Sequence, residues 1–302
     1  RHPALAEAVD RALAEGRPQR ADLSLPVPVP REIAAQAIPL APPLPGGGSV
    51  LLVLSDRSRE RALERMRADF VANASHELRT PLAILAGFVE TLRGPARGDP
   101  EAQARFLGIM AEQAERMRRL LDDLLGLSRI EMAEHQPPEG KAALAAIAWA
   151  EAAALEPLLQ ARRATLTLAL DEAAVAAPAD ADQLAQVVRN LLENAVRHGR
   201  EGGAVGLEVA RSHGGEGLPA RPGVVLAVSD DGPGIPREHI PRLTERFYRV
   251  DRGRSRAAGG TGLGLAIVKH IVNRHRGRLL IESEEGKGAR FRVWLPAAAE
   301  EG

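Results

Sequence analysis

"VANASHELRTPLA", residues 71–83, is the stretch on which the reading of this 302-residue chain turns. Its apolar spacing is helical, yet it sets a histidine, a glutamate, an arginine, a threonine and a proline within the six positions 76–81. Pro81 has no N–H for the carbonyl of Glu77, and its ring crowds that carbonyl, so the helix is expected to bend or open there. His76 sits one residue before that freed carbonyl. Thr80 follows four residues after His76 and shares its helical face, whereas Glu77 does not. A carboxylate reaching Nδ1–H of His76 would fix the tautomer and leave Nε2 as a neutral nucleophile. A solvated histidine beside a routine kink explains the same letters.

On either side the periodicity continues. Leu63, Met66, Phe70 and Ala74 precede the stretch at steps of three and four, and Ile84, Leu85, Phe88 and Leu92 follow it. "RGPARGDP" (93–100) breaks the run, and a second run carries Phe106, Met110, Met117, Leu120, Leu121, Leu124 and Leu127 as far as "EHQPPEG" (134–140). A two-helix hairpin cannot enclose its own apolar seam, so a dimeric four-helix bundle is expected.

N-terminal to the hairpin, Leu5, Val9 and Leu13 mark a helix. "LSLPVPVP" (23–30) reads as an edge strand and "SVLLVLSD" (49–56) as a buried strand, together half of a small α/β domain.

Composition narrows the function classes. Lys plus Arg and Asp plus Glu are 40 each, so no net field draws the chain to nucleic acid or an acidic membrane. With no cysteine there is no disulfide, thiolate metal site or cysteine nucleophile, which suits a reducing compartment. The apolar runs 49–54 and 142–150 are far shorter than the roughly 18 residues a membrane span needs. The lack of an initiator methionine and of a signal-peptide pattern suggests a piece of something longer, whose anchor lies outside this sequence.

The C-terminal block holds the remaining chemistry. "LAQVVRNLLENAVRHG" (184–199) is a helix stopped by Gly199, with Asn190 and Asn194 one turn apart. An amide oxygen there suits a hard octahedral cation such as Mg²⁺, with Arg197 within reach of phosphate. Two polar residues on a wet face are the plainer explanation. "VLAVSDDGPGIP" (225–236) is a strand delivering Asp230 into a turn in which Gly232 and Gly234 let backbone approach a flat ring; the carboxylate can accept from the exocyclic amine of a purine. A tight turn alone also accounts for it. "AAGGTGLGLAIVKHIV" (257–272) places glycines 259, 260, 262 and 264 before an apolar helix, so amide donors and the positive end of the dipole face phosphates. Neither the P-loop lysine nor the strand of a dinucleotide fold accompanies it. "ERFYRVDRGRSR" (245–256), with four arginines after Tyr248, is weak evidence for a nucleic-acid patch in a neutral protein.

In their order along the chain these motifs resemble the sensor histidine kinases of bacterial two-component systems, over roughly residues 59–297. "FYRVD", "RSR" and "GGTGLGLAIVKHI" look most like the phosphate-sensing branch. The resemblance implies a multidomain chain: part of an α/β PAS-like sensor domain (1–56), a dimerisation and histidine phosphotransfer hairpin (57–134), a linker (135–140) and an α/β-sandwich ATP-binding domain of the GHKL or Bergerat type (141–298). It further implies autophosphorylation of His76 by ATP with Mg²⁺, Glu77 as base, and Thr80 linked to a reverse phosphatase activity. In the asparagine box, Asn190 accompanies catalysis and nucleotide binding, and Asn194 ligates Mg²⁺. Arg197 would face phosphate and His198 would pack near adenine, which Asp230 reads. Gly232, Gly234, Ile235 and Phe247 would line the nucleotide, under a lid of Gly260, Thr261, Gly262, Leu263 and Gly264.

The implied partners are a second copy of the chain and the receiver domain of a response regulator, with no nucleic acid. The portion in hand would be cytoplasmic, and the full protein anchored in the bacterial inner membrane. One departure stands out, Ala289 in "GKGARF" (286–291), where the family usually carries a threonine near adenine. Two other classes compete: a hydrolytic ATPase of the same fold that drives a clamp, and a silent signalling scaffold. Asn190 stands where the hydrolytic relatives hold a basic glutamate, and intact His76, Asn194, Asp230 and lid glycines speak against a scaffold.

Overall fold

The computed structural model describes residues 2–26, 30–134, 136–215, 217–250 and 260–298. Val27, Pro28 and Val29 of the expected edge strand, Arg252, Arg254 and Arg256 of the basic run, and Gly259 lie outside the described residues. The chain forms two compact units, Arg1–Glu77 and Leu78–Gly302.

In the first unit, α1 (Pro3–Glu15) starts on a proline and stops at Gly16, whose positive φ of 62° lets its N–H reach the carbonyl of Ala12. Strands β1 (Gln19–Leu25), β2 (Arg31–Pro39) and β3 (Val50–Asp56) form an antiparallel sheet in that order. The core consists of Ala8, Ala12, Leu23, Ala35 and Ala37, so the buried side of α1 runs through alanines, while Leu13 is 49% exposed. Residues 49–54 do not make a buried strand. β3 is a sheet edge, paired on one side only, and its Leu51, Leu52, Val53 and Leu54 are all exposed.

Helix α2 (Ser58–Arg93) begins where the Asp56 carboxylate accepts from the N–H and hydroxyl of Ser58, bonds that hold that carboxyl below its usual range. It runs through Pro81 without interruption, so the expected opening of the helix is absent. Pro81 costs a backbone hydrogen bond but not the helical path. After a turn, α3 (Pro100–Ala133) starts at Asp99, whose carboxylate caps the N–H of Ala102 at 3.0 Å. Near the turn the rings of Phe88 and Phe106 stack 5.0 Å apart, as an antiparallel hairpin requires. No helix of the described residues is long and apolar enough to cross a membrane.

The rest of the second unit is a helical layer on a five-stranded sheet. Helices α4 (Leu144–Ala154), α5 (Glu156–Arg162), α6 (Ala181–His198) and α7 (Gly264–Arg274) accompany β5 (Thr165–Leu170), β7 (Ala204–Ser212), β8 (Gly223–Asp230), β9 (Arg278–Ser283) and β10 (Ala289–Pro296). The sheet order is β5-β7-β8-β10-β9, parallel between β5 and β7 and antiparallel elsewhere. The short pair β4 (Ala142–Ala143) and β6 (Val175–Ala176) stands beside it.

Val187, Leu191, Ile267, Ile271, Leu207 and Val293 are wholly excluded from solvent between the layers, each contributing about 1.5–3 kcal/mol by burial. The outer face of the sheet carries the ion pairs Arg290–Glu208 and Arg292–Glu282. There too Trp294 is fully buried beneath the Arg221 guanidinium, 4.8 Å from its ring centre, and against Gly223, where a Cβ would collide with the indole.

Candidate functional site

Three segments of the second unit converge at one end of the sheet: the C-terminal half of α6, the turn after β8 and the turn before α7. α6 is held by its apolar stripe, with Leu184, Val187, Val188, Leu191, Leu192, Ala195 and Val196 buried, and by Asp180, whose carboxylate caps the N–H of Gln183 at 3.2 Å. That packing fixes Asn190 and Asn194, both half-buried, on the flank of the stripe. The Asn190 amide donates to the Gly264 carbonyl at 3.3 Å, tying α6 to the start of α7. Arg197 pairs with Glu193 at 3.1 Å along the helix. His198 lies at the surface end of α6. Partial desolvation, then the charges of Arg249, Arg197 and Arg162, push its pKa down, so the neutral ring is favoured.

β8 carries Asp230 to the edge of this space. Its carboxylate accepts from the Gly232 N–H at 2.9 Å, yet burial outweighs this and the nearby Ala289 backbone and raises its pKa. Gly232 admits no side chain: a Cβ would stand 2.6 Å from Asp230 Oδ1 and 2.9 Å from the His198 carbonyl. Gly234 has a φ of 72°, a left-handed conformation that glycine takes without strain. The next residue, Ile235, donates its N–H to Ser283 Oγ at 2.8 Å, and that hydroxyl in turn donates to the Gly288 carbonyl at 2.7 Å. Ala289 stands opposite Asp230 in the β8–β10 register and lacks the hydroxyl of the usual threonine.

The turn from Gly260 to Gly264 forms the third wall. Gly262 has a φ of 74°, and a Cβ there would lie 3.0 Å from Phe247 Cα. Phe247, itself left-handed at 61°, donates its N–H to the Gly262 carbonyl at 2.8 Å. Thr261 Oγ1 accepts from the Leu263 N–H at 3.3 Å and donates to Asp123 Oδ2 on α3 at 2.7 Å. Leu263 is fully buried and anchors the turn.

The space these walls bound has the hydrogen-bonding groups for an adenine nucleotide: a carboxylate to accept from an exocyclic amine, bare glycine backbone and a helix N-terminus. Among the described residues no group of three or more His, Asp or Glu could cage a metal ion. One neutral amide oxygen, that of Asn194, fits Mg²⁺ held mainly by phosphate and water. His76, Glu77 and Thr80 stand on α2, the first and last exposed and on one face, Glu77 half-buried. His76 and Glu77 belong to the first unit and Thr80 to the second, and the nucleotide set lies wholly within the second unit.

Sequence reasoning missed three contributors. Ser283 pins the Gly234–Ile235 turn, Asp123 holds Thr261, and Arg162 donates to the Arg197 and Gly199 carbonyls at 3.3 and 3.4 Å, capping α6. None announces itself locally, because each acts on residues 35 to 138 positions away.

Comparison with known proteins agrees with this geometry. Residues 66–133 match the His Kinase A (phospho-acceptor) domain, and residues 179–299 match the histidine kinase-, DNA gyrase B- and HSP90-like ATPase family. The chain is 38% identical over 295 residues to the phosphate regulon sensor protein PhoR of Pseudomonas aeruginosa, covering 96% of this chain and 62% of that protein. It is 35% identical over 246 residues to the sensor protein kinase WalK of Staphylococcus aureus, covering 82% of this chain and 57% of the relative. The chain thus spans about 60% of the length of these curated relatives. The solved structure of the histidine kinase ThkA in complex with the response regulator TrrA shares the fold, with a TM-score of 0.62 at 17% identity over 99% of this chain and 84% of that one. With a phospho-acceptor hairpin followed by this ATPase fold, and with these relatives, the chain belongs to the bacterial two-component sensor histidine kinases.

Proposed function

We propose that the chain is the kinase portion of a sensor histidine kinase, moving the γ-phosphoryl group of ATP to His76 and then to an aspartate on the receiver domain of a response regulator. The observation that carries this reading is the joining of a phospho-acceptor hairpin to an ATPase fold whose Asn190 amide is tied to Gly264. Hydrolytic relatives of that fold need a carboxylate at the Asn190 position. An amide cannot take a proton from water, so ATP persists until an imidazole attacks.

In this reading Nε2 of His76 forms the N–P bond while the bond from the γ-phosphorus to the bridging oxygen breaks and ADP leaves, and Glu77 takes the Nδ1 proton. Thr80 serves the reverse removal of phosphate from the regulator. Asp230 accepts from the adenine amine, His198 packs near the ring, Gly232, Gly234, Ile235 and Phe247 line it, and Arg197 faces phosphate. Gly260 to Gly264 offer backbone N–H groups. Mg²⁺, with Asn194 as its protein ligand, would neutralise phosphate charge.

Exposed Leu82, Val89, Leu107, Leu121 and Leu125 on the hairpin support a second copy completing a four-helix bundle. The helix on a three-stranded sheet in the first unit supports part of a PAS-like sensor domain. The response regulator bound by ThkA supports the class of partner. The match to PhoR reaches over the N-terminal block as well, where that to WalK is shorter, which supports the phosphate-sensing branch.

The test is incubation with γ-labelled ATP and Mg²⁺. Acid-labile, alkali-stable label that is absent from His76→Gln is expected. Free phosphate without protein-bound label would move the chain to the hydrolytic ATPases.

A further inference from the structure

Within the second unit, α3 meets the catalytic fold through a row of polar contacts as well as through buried Leu120, Leu127 and Ile130. Glu131 pairs with Arg246 and Glu134 with His270 Nδ1 at 2.9 Å, Asn273 donates to Glu134 at 3.1 Å, and Arg274 donates to the Gln136 carbonyl at 3.0 Å. None of these touches a residue of the Gly260–Gly264 turn itself. Asp123 does: its carboxylate accepts from Thr261, inside the turn whose backbone amides are assigned to phosphate.

Asp123 is also unusual in its charge. It is half-buried, and Asp122 and Glu193 add negative charge around it against Arg119. Burial, the largest influence, pushes its pKa up, partly opposed by the Thr261 hydrogen bond. A carboxylate in this position gives the turn an anion before any nucleotide arrives. A triphosphate approaching the same turn meets like charge in a setting that screens poorly.

We propose that Asp123 is an intramolecular competitor of the nucleotide, holding the Gly260–Gly264 turn on α3 through Thr261, so that docking of the turn and binding of ATP oppose each other. The proposal rests on the ATP reading above. Because such coupling is reciprocal, nucleotide would loosen the grip of α3 by the factor by which that grip weakens nucleotide binding. The kinase would then carry in its own hairpin a means of setting how readily its lid accepts ATP.

Asp123→Asn retains a hydrogen-bond acceptor for Thr261 and removes the charge. Titration of the chain with a non-hydrolysable ATP analogue and Mg²⁺ should show the variant binding about tenfold tighter, a usual size for such coupling. Unchanged or weaker binding overturns the proposal. A second test uses the lack of native cysteine: Asp123→Cys with Thr261→Cys, bridged by a short reducible bifunctional thiol reagent. The bridged form should lose at least about tenfold in affinity and regain it on reduction. Equal affinity in both forms overturns the proposal. If the unaltered chain binds no nucleotide, the ATP reading fails and the proposal fails with it, a result distinct from binding that Asp123 does not influence.

Discussion

α2 and α6 both carry polar residues assigned to chemistry, and they are built in opposite ways. Seven side chains of α6 are buried against the sheet and its neighbouring helices, so Asn190 and Asn194 stand on a support completed within one chain. Among the described side chains of α2, Pro81 alone is buried, and His76 stands on a helix whose large apolar residues, such as Val71 and Leu82, face solvent. The nucleotide half is thus packed within the chain itself, whereas the apolar side chains of the acceptor helix are largely exposed, as the proposed second copy requires. Substitutions should therefore separate: at exposed polar positions of α2 chemistry changes without stability, and on the buried stripe of α6 both change together.

The largest expected effect is that of His76→Gln, which should abolish labelling while analogue binding and the melting temperature stay unchanged. A marked fall in melting temperature would break the contrast. Next, Leu191→Ala on α6 should cost about 2–5 kcal/mol in urea unfolding and weaken nucleotide binding with it. Leu82→Ala on α2 should cost under about 1 kcal/mol in dilute protein and more as concentration rises, if a second copy supplies the cover. An α2 variant as costly as Leu191→Ala at every concentration would show that α2 is packed within one chain.

A third, smaller effect concerns Asp230. In the proposed function its ionised carboxylate accepts from the adenine amine, and its pKa is raised, so affinity should fall as the pH drops from neutral through that raised value. Asp230→Asn should weaken binding about tenfold or more and remove this pH dependence. Titrations at several pH values decide it.

The smallest effect involves His275, fully buried, with Nδ1–H donating to the Ile271 carbonyl at 2.8 Å and Nε2 accepting the Asp180 N–H at 2.9 Å. Burial pushes its pKa below the ordinary 6.5, so the unfolded chain takes the proton first. Stability of the second unit is present above about 6.5 and should fall as the pH drops through the lowered value, by up to about 1.4 kcal/mol per pH unit. His275→Gln should flatten that acid limb in urea unfolding, and an unchanged slope would assign the loss to other groups.

Much of this was legible in the sequence because the signals are local. Steps of three and four placed the hairpin, "RGPARGDP" placed its turn, and Gly199 placed the end of α6. The segments that converge at the nucleotide site were visible as motifs, each carrying its own glycine or asparagine pattern. What stayed hidden depends on pairings distant in sequence. Ser283 reaches Ile235 across 48 positions and Asp123 reaches Thr261 across 138. β3 is exposed because α1 packs mainly over β1 and β2, which a continuous apolar run does not disclose. Pro81 was a partial case. The missing N–H was plain, but the rest of a 36-residue helix carries the backbone through.

The burial of Trp294 has an optical consequence. The chain holds two tryptophans, and the other, Trp149, is 63% exposed on α4, so both belong to the second unit. Trp149 already emits from water, whereas the Trp294 indole, shielded by Gly223 and Arg221, passes from a water-excluded setting to solvent when the sheet opens. Excitation at the red edge of tryptophan absorption will therefore follow the nucleotide-binding fold alone, leaving the N-terminal sheet dark and allowing the two units to be melted in one cuvette and told apart by fluorescence against far-ultraviolet dichroism.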